Sequence, residues 1–133
     1  MSVFHLKIVT ADGEYYDGEA QSIVVRTIDG DVCIMARHTP YLTALGMGEC
    51  RLTEGDGTKR RAACIGGMLS CMNNEVHLVA TTFEWAENID VSRAERARER
   101  AQALISGTNL DPKELELANA RLKRALTRIN VGK

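Results

Sequence analysis

The first two-thirds of the chain alternates apolar and polar positions with a period of two. Phe4, Leu6 and Ile8 interleave with His5, Lys7 and Val9, and Ile23, Val25 and Thr27 interleave with Val24, Arg26 and Ile28. In an extended chain this sends one set of side chains inward and the other outward. Turn signals recur at short intervals: Asp12-Gly13, Asp17-Gly18, Asp29-Gly30, Asp56-Gly57 and Asn73-Asn74. Such pairs adopt the positive φ of tight turns at small steric cost. Residues 49–53 and 60–65 around Gly55-Asp56-Gly57 predict one hairpin, and residues 68–72 and 76–81 around Asn73-Asn74 a second. About eight to ten short strands with turns at this spacing predict an antiparallel β-sandwich or barrel.

Past residue 88 the period becomes helical. Asp90 is placed to cap a helix, with Ser92-x-x-Glu95 as a capping box just inside it. Val91, Ala94, Ala97, Ala101, Leu104 and Ile105 share one face, and Gly107 ends the run. Asp111-Pro112-x-Glu114 then opens a second helix with cap, proline and acid in order. Its stripe is Leu115, Ala118, Leu122, Ala125, Leu126 and Ile129. The short link over residues 108–111 makes the two helices an antiparallel hairpin. The expected organisation is therefore a β-sandwich over residues 1–88 and an α-helical hairpin over residues 89–133.

The first helix presents mostly alanine to its partner. Each buried methyl contributes about 0.8 kcal/mol, so three alanines give roughly 2–3 kcal/mol. Ordering each residue costs about 1–2 kcal/mol, and isolated helices of this length are marginal in water. The hairpin is expected to lean on the sandwich or on a partner, or to exchange between positions.

Charge and aromatic residues divide at the same place. Residues 1–88 hold 7 basic and 12 acidic side chains, residues 89–133 hold 10 and 6, and all six aromatic residues lie before residue 88. The whole chain of 133 residues carries a net charge of −1, which gives no overall field favouring nucleic acid or a membrane surface. No apolar run is long enough to span a bilayer, and the first residues lack the pattern of a secretory signal. The chain is expected to be made in the cytosol.

Cys33, Cys50, Cys64 and Cys71 lie 17, 14 and 7 residues apart without a Cys-x-x-Cys pair. They are expected to be buried free thiols, and His5, His38 and His77 are too scattered to suggest a metal. Catalytic patterns are weak. Gly66-Gly67 lacks the remainder of a phosphate loop. Ser22, Ser70, Ser92 and Ser106 have no nucleophile-elbow context. Cys33 and His38 have no third group to orient them. Glu84 and Glu87 flank Trp85 as solvated acids before a helix. Binding has more material: Arg93, Arg96, Arg98 and Arg100 crowd the first helix, and Arg121, Lys123, Arg124 and Arg128 the second. Guanidinium forks suit polyphosphate or carboxylate. No aromatic residue interleaves with them to stack a base. A solvated face paired with Glu95 and Glu99 is the competing account.

An ordered set of motifs runs through the chain. It comprises Asp12-Gly13 with Tyr16-x-Gly18-Glu19, Thr27-x-Asp29-Gly30-Asp31-x-x-Ile34, His38-Thr39-Pro40-x-Leu42-Thr43, Gly66-Gly67-x-Leu69 and Asn74-x-Val76. It continues through Ile89-Asp90-x-x-Arg93-Ala94 to Leu122-x-Arg124-Ala125-x-x-Arg128. In these stretches the chain resembles the epsilon-subunit family of the bacterial-type (F-type) rotary ATP synthase. The resemblance implies a β-sandwich followed by two helices, and a non-catalytic rotor subunit on the cytoplasmic face of the plasma membrane. Its implied partners are the gamma subunit, the c subunits of the ring, and the alpha and beta subunits of the catalytic head.

The resemblance also implies residue roles. Asp31 corresponds to an acidic turn residue facing the ring loops, and His38 with Pro40 to the following loop. The hairpin corresponds to an element that blocks ATP hydrolysis when extended, with Arg121, Lys123, Arg124 and Arg128 meeting acidic surfaces of the head. Some members bind regulatory ATP on the folded hairpin; here the matching positions are Glu84, Asp90, Arg93, Arg100, Arg124 and Arg128. No metal or required cofactor is implied. The family usually has glycine where Cys33 stands, an acid near Thr81 and a small or aliphatic residue near Trp85. A free-standing nucleotide-sensing or protein-binding module of the same fold is the alternative.

Overall fold

The computed structural model describes residues 2–107 and 110–133. The expected link over residues 108–111 lies partly outside them. The chain divides into two compact units, Met1–Ala86 and Glu87–Lys133.

The first unit contains seven strands: β1 (Phe4–Thr10), β2 (Gly13–Thr27), β3 (Gly30–Met35), β4 (Tyr41–Ala44), β5 (Met47–Glu54), β6 (Lys59–Met72) and β7 (Glu75–Trp85). Their order is β1-β7-β6-β5-β2-β3, with β4 paired to β6 and β1 paired also to β2. The sheet therefore closes through β1, antiparallel to β2 on one side and parallel to β7 on the other. It encloses one core, in which Phe4, Leu6, Ile8, Ile23, Val25, Ile34, Leu52, Leu69, Leu78 and Phe83 are buried. The inward positions named by the alternation in β1 and β2, Phe4, Leu6, Ile8, Ile23, Val25 and Thr27, are all buried.

Two features of the expected sandwich change. Strands are fewer and longer than eight to ten, and one pairing is parallel. Asp17-Gly18 is not a turn but lies within β2, where the Tyr16 ring folds over Gly18. Residues 60–65 and 68–72, expected as strands of separate hairpins, form the single strand β6 through Gly66 and Gly67. Both glycines have positive φ, +73° and +119°. There β6 changes partner, from β5 at Ile65 to β4 at Met68. The remaining turn signals hold: Asp12, Asp29 and Asp56 lie in turns, and Asn73 and Asn74 both take positive φ between β6 and β7.

Cys50, Cys64 and Cys71 are buried, and burial pushes the Cys64 thiol up to about 12 and the Cys50 thiol well above its ordinary value. These thiols pack as apolar groups. Cys33 departs from the expectation and is exposed, because it alternates in β3 with the buried Ile34. Its backbone is extended and paired with Val24, so a side chain at this position meets no left-handed constraint.

The second unit contains α1 (Val91–Ser106) and α2 (Pro112–Gly132). The Asp90 carboxylate accepts the Arg93 N–H at 3.0 Å, and the Asp111 carboxylate accepts the Glu114 N–H at 2.8 Å. Each satisfies an N–H that the helix itself leaves unpaired. Ser92 lies inside α1 rather than at its boundary. Gly107 ends α1 in extended geometry, donating its N–H to the Ala103 and Leu104 carbonyls. The seam is narrow: Ala94, Ala101, Ala118, Ala125, Ile129 and Val131 are buried, whereas Leu104, Leu115 and Leu126 of the expected stripes are exposed. Alanine lets helices approach closely but covers little on either side. At the end of α2, a Cβ on Gly132 would stand 2.7 Å from the Val91 side chain, so this glycine lets α2 close against the start of α1.

Two glycines separate backbone strain from steric exclusion. Gly13 has φ +143° and open space around it, whereas a Cβ on Gly67 would lie 2.1 Å from the Val79 carbonyl oxygen. Gly13→Ala is expected to destabilise by about 1–2 kcal/mol and Gly67→Ala by at least about 3 kcal/mol in urea unfolding. Equal losses at the two sites contradict this account of the β6 crossing.

Candidate functional site

The β2–β3 turn is fixed by Thr27, whose hydroxyl donates to the Gly30 carbonyl at 2.7 Å and accepts the Asp29 N–H at 3.0 Å. This holds Ile28, 69% exposed, at the tip. Asp31, the second residue of the return strand, is in register with Arg26. The Arg26 Nε donates to the Asp31 carboxylate at 2.7 Å and, with Arg51 adding positive charge, holds that carboxyl below its ordinary range. The space for Arg26 comes from Gly48, where a Cβ would lie 2.6 Å from the Arg26 Cβ. Asp31 is thus an exposed, oriented carboxylate with its charge secured.

His38 and Pro40 stand in the loop between β3 and β4. The His38 ring donates from Nδ1 to the Thr39 carbonyl at 2.8 Å and lies 5.8 Å from the Tyr41 ring. Arg37, with φ +64°, donates its backbone N–H to the Asn74 side-chain oxygen at 2.8 Å. Asp31 and this loop occupy opposite ends of β3, separated by about 15 Å at the rise of an extended strand. The structure therefore does not bring Asp31 together with His38 and Pro40; they belong to two ends of the sandwich.

A third surface was not legible in the motifs. Strand registers align Val9 with Val79, Val79 with Met68, and Met68 with Ala44, making one row across β1, β7, β6 and β4. Val79 and Met68 are exposed, as is Leu42 in the adjoining row. Exposed contiguous apolar surface of this kind marks a place for another protein. Its signal in the sequence is that β6 and β7 are apolar on both faces: Met68 alternates with the buried Leu69, and Val79 with the buried Leu78 and Ala80.

The basic residues of the hairpin spread over both helices. Arg93, Arg96 and Arg100 are exposed along one side of α1, and Arg121 and Lys123 are exposed on α2. Arg124 is half-buried, its Nε donating to the Ala120 carbonyl at 3.4 Å, and Arg128 is half-buried one turn further on. Arg98, between Arg96 and Arg100, has a buried Nε without a hydrogen-bond partner. Asp90 is already engaged as the cap of α1. Glu84 belongs to the first unit, in β7 opposite Ala63. Five of the six candidate nucleotide residues thus share the second unit and Glu84 does not. Among the described residues, no group of three or more His, Cys, Asp or Glu side chains could hold a metal ion. No described helix is long and apolar enough to cross a membrane.

Two family models cover these units. The beta-sandwich domain of the ATP synthase Delta/Epsilon chain matches residues 3–86, and the long alpha-helix domain of the same chain matches residues 87–133. Similar proteins include the ATP synthase epsilon chain of Caldicellulosiruptor bescii, 37% identical over 99% of this chain and 95% of its own. Another is that of Lactobacillus delbrueckii subsp. bulgaricus, 39% identical over 97% and 92%. Among solved structures, a chain of the Euglena gracilis mitochondrial ATP synthase superposes with a TM-score of 0.85 at 19% identity, covering 96% of this chain and 79% of that one, and so shows the fold. Two units matched end to end by the two domains of one subunit, together with relatives of the same build over nearly their full length, place the chain in the epsilon-chain family of the F-type ATP synthase.

Proposed function

We propose that this chain is a non-catalytic subunit of the central stalk of an F-type ATP synthase, peripheral to the membrane. In this role the sandwich transmits rotation from the ring to the catalytic head, and the hairpin restrains ATP hydrolysis. The observation that carries the proposal is the end-to-end match to the two epsilon-chain domains. The geometry supports a division of labour. Torque transfer needs a stiff body, and a sheet closed through β1 around one core meets that need. The Asp31 carboxylate and the Ile28 tip, at one end of β3, suit the polar loops of the c subunits. The His38 and Pro40 loop and the apolar row through Val79 and Met68 fall to the gamma subunit.

The hairpin suits a regulatory part. Both its caps come from its own residues, Asp90 and Asp111, and its seam is mostly alanine. It can keep its local structure while its surroundings change, at small cost in buried area. Extended, Arg121, Lys123, Arg124 and Arg128 would meet acidic surfaces of the alpha and beta subunits. ATP, held by Arg93, Arg100, Arg124 and Arg128 near the Asp90 cap, would keep the hairpin folded. No metal held by the protein is needed for this binding.

Three measurements bear on these roles. In the reconstituted complex, removal of residues 89–133 is expected to raise ATP hydrolysis at low ATP; an unchanged rate removes the inhibitory role. In calorimetry, the subunit is expected to bind ATP and Arg93→Ala to weaken binding by roughly tenfold, the loss of one charge-assisted pair. Absence of heat at millimolar ATP, or equal affinity in the variant, removes nucleotide sensing. Because asparagine caps a helix as well as aspartate does, Asp90→Asn is expected to keep the helical circular dichroism. Asp90→Ala should lower α1 stability by about 1 kcal/mol. Equal loss in both variants contradicts the cap assignment.

A further inference from the structure

The outer face near the start of β1 carries a cluster that the proposed role does not use. His5 is flanked by carboxylates on both neighbouring strands. Its Nδ1 lies 2.8 Å from Glu75 Oε2 on β7, and its Nε2 lies 2.5 Å from Asp17 Oδ1 on β2. A neutral imidazole has one N–H, and a carboxylate only accepts. Both contacts are hydrogen bonds together only when the ring is an imidazolium.

We propose that the His5 imidazolium is a proton-operated clip that fastens β1 between β2 and β7 and steadies the loop carrying His38. The position of β1 gives the clip its consequence, because this strand closes the sheet. The same end of β1 is tied to Asn74: the His5 N–H donates to the Asn74 carbonyl at 3.1 Å, and the Asn74 side-chain amide donates to the Val3 carbonyl at 2.9 Å. The Asn74 side-chain oxygen in turn accepts the Arg37 N–H, at the entrance to the His38 and Pro40 loop. One residue thus connects the clipped strand to that loop.

The surroundings favour the charged ring. From β2, Asp17 bonds it and Glu19 stands in register with it; from β7, Glu75 bonds it, and His77 lies 3.7 Å from Glu75. On β1 itself, Lys7 opposes the charge but is drawn to Glu14 at 3.7 Å. The bonds to Glu75 and then Asp17 raise the imidazole above its ordinary value, and Glu75 is correspondingly lowered. The sign follows from linkage. The clip contributes in full below about pH 6.5, the free imidazole value, and its contribution disappears as pH rises through the higher folded value. Partial exposure of all three groups keeps the effect modest.

The test is an NMR titration of the full chain from pH 5 to 9, with amide exchange in parallel. His5 is expected to titrate above the ordinary imidazole value, with both ring nitrogens protonated below its midpoint. Opening of the Leu6 and Arg37 amides, corrected for intrinsic exchange, should increase about threefold across that titration. His5→Gln should behave at every pH as the native chain does at high pH, and Glu75→Gln should lower the His5 midpoint. A His5 midpoint at or below the ordinary value overturns the proposal. So does equal opening of these amides in native chain and His5→Gln at pH 6.

Discussion

Everything in the first unit depends on β1 being paired on both sides. Its N–H and C=O groups face β2 and β7, so β7, otherwise an end of the sheet, is joined to the first half of β2. Backbone polar groups that lie near an apolar core must find partners. Closure satisfies them and lets Phe4, Leu6 and Ile8 enter the core as one row. The two strands left with a single partner, β3 and β4, sit at the rim and carry the exposed Asp31, Cys33, Met35 and Leu42. The closed part supplies stiffness, and the singly paired part supplies surface for other proteins.

The hairpin obeys a different constraint. A helix end needs partners for its first N–H groups, and aspartates supply them at both starts. Those bonds make the helices locally self-sufficient without making the pair strong, because the alanine seam buries little apolar area. Exposed Leu104, Leu115, Leu117 and Leu126 follow from the narrow seam. A closed sheet and a weak, well-capped hairpin are what the proposed division into a coupling part and a regulatory part would require.

Local chemistry was legible in the sequence wherever neighbouring residues decide the outcome. The inward rows of β1 and β2, the Asn73-Asn74 turn, both aspartate caps and Pro112 at the start of α2 could all be read from spacing. Misreadings arose where a distant partner decides. Asp17-Gly18 has turn composition, but pairing with β1 keeps it extended, and its glycine lies beneath the Tyr16 ring. The parallel pairing of β1 with β7 joins residues some 70 positions apart, a distance that periodicity does not see. The partnership of Asp31 with Arg26 and the placement of Asp31 and His38 at opposite ends of β3 are likewise products of register. The motifs identified the family and named the arginines of the hairpin. The row through Val79 and Met68 emerged only when four strands were aligned.

The central claim is a difference in stability between the two units of one chain, and native-state hydrogen exchange of the full chain measures it directly. The account predicts that amides of β1, β6 and β7 exchange only through global opening of the sandwich. Amides of α1 and α2 should exchange through a separate opening of lower free energy. Helix and strand amides exchanging together, with one shared opening free energy and one shared denaturant dependence, would contradict it.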